Sequence, residues 1–176
     1  MKKLSTSELI DKKGDFSQLK KNRRNPVYLI LDDIRSMYNI GSIFRTDDAT
    51  WISKVYLCGI TACPPRKEIE KTALKTIEFV PWQYCSDVIS LVNKLKNNGV
   101  QICCLEQTKN GNNLFSAKFN YPIALIIGNE VEGVKQNVLD ISDMSINIPM
   151  YGSSNSLNVT TATGIALYQI INRIKQ

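Results

Sequence analysis

The chain has 176 residues, the length of one ordinary domain, with 43% hydrophobic and 22% charged residues, a globular mix rather than a disordered or fibrous one. Its formal net charge is +6, and it contains no histidine. The missing imidazole excludes Ser-His-Asp and Cys-His nucleophile systems, the HExxH zinc site and any histidine general base.

Residues 1–25 form a basic arm. Lys2, Lys3, Lys12, Lys13, Lys20, Lys21, Arg23 and Arg24 stand against Glu8, Asp11 and Asp15, so +5 of the +6 lies there. Such an arm suits a polyanion, and a solvated tail is the plain alternative. Leu4, Leu9, Ile10, Phe16 and Leu19 are interleaved with the charges, a pattern open to a short amphipathic helix that docks on something.

Asn25-Pro26 closes the arm, and Val27-Tyr28-Leu29-Ile30-Leu31 reads as a buried strand. Residues 40–50 read as a helix with Ile40, Ile43, Phe44 and Trp51 on one face, and residues 54–58 as a second strand. Pro64-Pro65 starts a helix over 66–74, and Thr76 to Val80 reads as a strand. Residues 87–96 form a helix with Val88, Leu91, Val92 and Leu95 at helical spacing, stopped by Asn97-Asn98-Gly99. A strand follows at 100–105, a polar turn region at 108–113, and the most apolar strand at 122–127. A short helix over 135–140, a strand over 145–148 and a long helix over 157–174 complete the chain. That last helix should turn Leu157, Ala162, Ile165, Ala166, Ile170 and Ile174 inward. Uninterrupted apolar strands separated by helices indicate an α/β fold with a mostly parallel sheet flanked by helices.

The cysteines, Cys58, Cys63, Cys85, Cys103 and Cys104, are odd in number and show no CxxC spacing. That argues for reduced thiols in a cytosolic protein, with no disulfide framework and no metal. The first residues lack a long apolar stretch, and no apolar run approaches the ~20 residues a bilayer needs, so a cytoplasmic protein without membrane contact is expected. The nine glycines form neither GxGxxG nor GxxxxGK[ST].

Three polar segments follow predicted strands, where ligands bind in open α/β sheets. The first is Asn39-Ile-Gly-Ser-Ile-Phe-Arg45, in which Asn39 can cap the helix and Gly41 can let backbone approach an anion. The second is Gly128-Asn-Glu130-Val-Glu-Gly133, where Gly128 allows close approach and Glu130 places a carboxylate at the crevice. The third, Ile148-Pro-Met150-Tyr-Gly-Ser-Ser-Asn-Ser156-Leu157-Asn158-Val159, holds more hydroxyls and amides than a helix start needs, and such polar loops bind ligands.

These three motifs, NxGxxxR, GxExxG and IPMxGxxxSLNV, in this order and spacing, resemble the SpoU (TrmH-like) family of RNA ribose methyltransferases of the SPOUT class. The resemblance covers about residues 26–174, and Lys71-Thr72-Ala73 is similar to a further family segment near the active site. It implies transfer of a methyl group from S-adenosylmethionine to a ribose 2′-hydroxyl of tRNA or rRNA by a homodimer. It also implies a C-terminal trefoil knot, and divides the chain into the arm, 1–25, and a methyltransferase domain, 26–176. By motif position, Asn39, Arg45, Glu130, Ser156 and Asn158 carry over as the catalytic constellation. The cofactor would lie against Leu105, Glu106, Gly128, Ile148, Met150 and Leu157. With no separate N-terminal RNA-binding domain expected, RNA falls to the arm (Arg23, Arg24), the dimer surface and Arg66, Lys67, Lys71 and Lys75. Compact members often act on tRNA, which favours tRNA over rRNA. The competing readings are a SPOUT methylase acting on a nucleobase and a non-catalytic RNA-binding protein.

Overall fold

The computed structural model describes residues 1–13 and 23–174. Phe16, Leu19, Lys20 and Lys21 of the arm lie outside the described residues, as do the side chains of Ile10, Lys12 and Lys13. The arm opens with a helix α1, Thr6–Lys13, whose described side chains are exposed. It starts on a capping box: Ser5 Oγ accepts from the Glu8 backbone N–H at 3.2 Å, and Glu8 Oε2 accepts from the Ser5 N–H at 2.6 Å.

The body alternates strands and helices: β1 Asn25–Asp32, α2 Met37–Thr50, β2 Ile52–Cys58, α3 Lys67–Ala73, β3 Trp82–Cys85, α4 Val88–Asn97 and β4 Gln101–Leu105. Then come β5 Asn112–Asn113, β6 Ile123–Ile127, α5 Gln136–Ile141, β7 Met144–Asn147 and α6 Val159–Ile174. The seven strands form one sheet in the order β3-β2-β1-β6-β4-β7-β5, and every pairing is parallel. All five residues of β6 are buried, as a central strand covered on both faces requires.

The pleat sorts side chains to two cores. Val27, Leu29 and Leu31 pack with Ile40, Ile43 and Phe44 of α2, Ile69 of α3 and Ala166, Leu167 and Ile170 of α6. Ile30, Ile102, Cys104, Ala124 and Ile126 pack with Val88, Leu91, Val92 and Leu95 of α4 and Val138 of α5. All five cysteines are free, and burial raises the thiol of Cys104 to about 11. Among the described residues no helix is long and apolar enough to cross a membrane.

Four sequence expectations change. Thr76 to Val80 is not a strand but a 3₁₀ turn, Thr76–Glu78, because Leu74 and Lys75 turn the chain with φ of 50° and 71°; the edge strand is Trp82–Cys85. The polar turn region contains the two-residue strand Asn112–Asn113. Asn39 does not cap α2: Ser36 does, accepting from the Asn39 N–H at 3.3 Å. Leu157 precedes α6 and is 37% exposed rather than part of the helix core.

Candidate active site

The site lies at the carboxyl ends of β4, β6 and β7, which adjoin in the sheet. β6 runs into Gly128, where a Cβ would strike the Gly133 carbonyl, so only glycine admits the return of the 129–133 loop. Asn129 and Gly133 pair backbone to backbone at 2.9 and 3.1 Å, and Gly133 takes φ +71°. Asn129 Oδ1 accepts from the N–H groups of Val131 and Glu132, while its Nδ2 donates to the Asp33 carbonyl at 2.8 Å. The result is a rigid turn that presents Glu130.

Glu130 ties β6 to the loop before α2. Its Oε2 accepts from the Arg35 N–H at 2.9 Å, and its Oε1 accepts from the Ser36 N–H and from Asn39 Nδ2, each at 3.0 Å. Partial burial pushes its pKa up, but these donors outweigh that and hold the carboxyl below its ordinary value. A second carboxylate is engaged in the same way. Glu106 accepts from the Val134 N–H through Oε2 and from the Gln107 N–H through Oε1, both at 2.8 Å. Asp33 forms an ion pair with Lys135 and accepts from the Ile60 N–H at 2.8 Å; the bond from Lys135 lowers its pKa most.

The third motif closes the opposite wall. Gln107 Nε2 donates to the Asn155 carbonyl at 2.6 Å, binding the exposed loop to the end of β4. Asn158 Oδ1 accepts from Thr160 N–H at 2.9 Å and from Thr160 Oγ1 at 2.5 Å, so Asn158 caps α6. Ser156 is exposed and makes no hydrogen bond among the described residues.

Between these walls is a cavity of about 520 Å³, within the range of small-ligand sites. Leu105, Glu106, Gly128, Ile148, Met150 and Leu157, the residues expected to hold a cofactor, all line it, together with Glu130, Ser156 and Asn158. Asn39 reaches it only through Glu130. Arg45 does not line it. Six residues turn a helix to about 120° short of two full turns, so Arg45 leaves the Asn39 face of α2; it is exposed, and its side chain makes no hydrogen bond or ion pair among the described residues. The Arg35 and Ser36 backbone donors, Asn129 and Gln107 are participants that motif reading missed. Asn129 lay inside a quoted motif and was the one that could have been found.

Gly41 does not approach an anion. It is buried where α2 meets α3, and a Cβ there would strike Thr72 Oγ1 and the Ile69 carbonyl oxygen. Among the basic residues, Arg23, Arg66, Lys67, Lys71 and Lys75 are exposed. Arg24 is occupied instead: its guanidinium stacks 3.9 Å from the Trp51 ring centroid and donates to the carbonyls of Ile52 and Phe79.

Comparison with known proteins agrees with this geometry. A tRNA (guanosine(18)-2′-O)-methyltransferase of Aquifex aeolicus is 33% identical over 150 residues, covering 84% of this chain and 69% of that protein. A Staphylococcus aureus protein named for the TrmH family of tRNA/rRNA methyltransferases is 29% identical over 164 residues; this chain spans 66% of its length and matches over 91% of its own. The crystal structure of an AdoMet-bound rRNA methyltransferase from Sinorhizobium meliloti superposes with a TM-score of 0.80 at 25% identity, covering 88% of this chain and 58% of that one. Residues 26–168, which carry all three motifs and the whole cavity wall, match the SpoU rRNA Methylase family, and the chain belongs to it.

Proposed function

We propose that this protein is an S-adenosylmethionine-dependent RNA methyltransferase that methylates a ribose 2′-hydroxyl, of tRNA in preference to rRNA, as a cytoplasmic homodimer. The observation that carries the reading is the convergence of the second and third motifs on one cavity, with the first clamped to it through Glu130. The 2′-O-methyltransferase name of the Aquifex relative supports ribose chemistry and tRNA. The AdoMet-bound neighbour supports the cofactor.

The cavity suits that cofactor. Leu105, Ile127, Ile146, Ile148, Met150 and Leu157 offer an apolar slot for an adenine, and Asn129, Asn147 and Ser156 offer polar groups for the ribose and amino acid ends. When bound, S-adenosylmethionine supplies an electrophilic sulfonium methyl. Residues 26–176 form the catalytic domain, and the 149–158 segment is where we place the trefoil threading. The arm, 1–25, and the exposed Arg66, Lys67, Lys71 and Lys75 contact RNA phosphates.

The remaining task is to make the 2′-oxygen nucleophilic. Each oxygen of Glu130 and Glu106 already accepts a hydrogen bond, so these carboxylates position loops rather than collect protons. Guanidinium groups stay protonated at physiological pH. Arg45 therefore holds the target phosphate and stabilises the developing alkoxide, and the proton leaves to phosphate or water. Because Arg45 stands off its own cavity wall, we assign it to the cavity of the second subunit.

Site-resolved 2′-O-methyl mapping of total RNA from cells with and without the gene tests the reading. One ribose should lose its methyl group; loss of a base methyl, read by nuclease digestion and mass spectrometry, would refute it. Arg45→Ala should abolish transfer while calorimetric S-adenosylmethionine binding survives, and Arg45→Lys should fail as well, since a point charge cannot copy the planar fork.

A further inference from the structure

Tyr38 immediately precedes Asn39 on the first turn of α2, yet it is 50% exposed. Its support is rigid. The Tyr38 carbonyl accepts from Thr72 Oγ1 at 3.0 Å, and three residues on, Gly41 lets α2 and α3 touch. The ring is thus presented to solvent by two helices locked together. A lysine lies beside it, and a second cation stands three residues earlier in the chain. Lys71 Nζ lies 6.0 Å from the ring centroid, and Arg35 is exposed with its side chain free of hydrogen bonds and ion pairs among the described residues. The same Arg35 donates its backbone N–H to Glu130, and Asn39 donates its amide to that carboxylate. An exposed aromatic ring beside a lysine therefore stands two residues from the cavity wall, through Asn39 and Glu130.

We propose that Tyr38 stacks a nucleobase adjacent to the target nucleotide, with Lys71 and Arg35 meeting the neighbouring phosphates; this rests on the RNA methyltransferase reading above. Every base has a π-face, so aromatic stacking beside lysine and arginine holds single-stranded RNA without hydrogen-bond readout. Only an unpaired base can splay onto such a ring, so the substrate position lies in a loop, bulge or end rather than inside a duplex.

The test is transfer of labelled methyl groups from S-adenosylmethionine to small RNA purified from cells lacking the gene. Tyr38→Ala and Tyr38→Leu should raise KM for RNA about tenfold, with kcat and calorimetric cofactor affinity unchanged. Tyr38→Phe should stay within about twofold of wild type, because stacking needs the ring and not the hydroxyl. An active Tyr38→Ala with wild-type KM overturns the stacking role alone, as does a Tyr38→Ala that loses dimerisation while its KM holds. Tyr38→Phe as impaired as Tyr38→Ala overturns it too. Absence of transfer by the wild-type protein overturns the methyltransferase reading and the stacking role with it.

Discussion

Replacing Glu130 by Gln separates the charge of the clamp from its shape. The native carboxylate accepts three hydrogen bonds, two at Oε1 and one at Oε2. Glutamine keeps one acceptor oxygen, so it can retain the pair from Ser36 and Asn39, but its NH₂ then faces the Arg35 N–H, donor against donor. A hydrogen bond to a charged group contributes about 1.5–3 kcal/mol, and the exposure of Glu130 reduces that to about 1–2 kcal/mol here. In a chain of this length that is a Tm about 2–8 °C lower. The acid limb supplies the sharper test. The folded pKa of Glu130 is depressed below its unfolded value of 4.5, so its stabilisation is complete above that value and is lost as pH falls through the lower folded pKa. Urea unfolding of wild type and Glu130→Gln at neutral pH and in steps below pH 4.5 should show a gap that closes as the native carboxyl takes up its proton. A gap of constant size down to the acid end would refute the charged clamp and leave only a change of shape.

Gly41→Ala should part α2 from α3, because the new methyl meets a backbone carbonyl as well as a hydroxyl; a loss of about 1–3 kcal/mol by denaturant unfolding is expected, and an unchanged midpoint would dismiss the tight seam. Asp47 is wholly buried on α2 and neither carboxyl oxygen has a hydrogen-bond partner among the described residues, so burial first, and Asp48 second, raise its pKa well above 3.8. The folded state therefore holds that proton more tightly than the unfolded chain, and stability falls as pH rises above 3.8 through the raised folded value. Asp47→Ala should be more stable than wild type by about 1–3 kcal/mol near pH 8, the gain shrinking in acid, and a variant less stable at pH 8 would refute the account.

The strands were legible where burial on both faces writes a continuous apolar run, as in β6 and β1. They were illegible where the environment rather than the residue makes the strand. Asn112–Asn113 pairs with β7 at the sheet edge with both residues exposed, and polar residues at an edge look like a loop. Thr76 to Val80 alternates like a strand, but Leu74 and Lys75 take left-handed conformations that β-propensity does not forecast, and only Val80 of the five is buried. The helix start at Ser36 was missed for a related reason. Ser36 and Asn39 are both good caps by type, and only the backbone geometry, extended at Ser36, chooses between them.

The site divides along the same line. Most side chains that line the cavity fall inside recognisable motifs, whereas the groups that hold those motifs together are largely backbone N–H donors, which carry no residue signature. That difference changes what the acids at the cavity can be asked to do. Glu130 and Glu106 stand where a general base would be sought, yet each is committed, oxygen by oxygen, to fastening one loop to another. The absence of histidine removes the other ordinary base. Glu132 of the second motif also lines the cavity, but the constellation carried over by motif position leaves, besides Glu130, only neutral or cationic groups: Asn39, Ser156, Asn158 and Arg45. Such a set cannot remove a proton from a 2′-hydroxyl ahead of attack. On the proposed methyltransferase reading it positions the oxygen and neutralises charge as it develops, with deprotonation accompanying methyl transfer and a substrate phosphate or water as the acceptor.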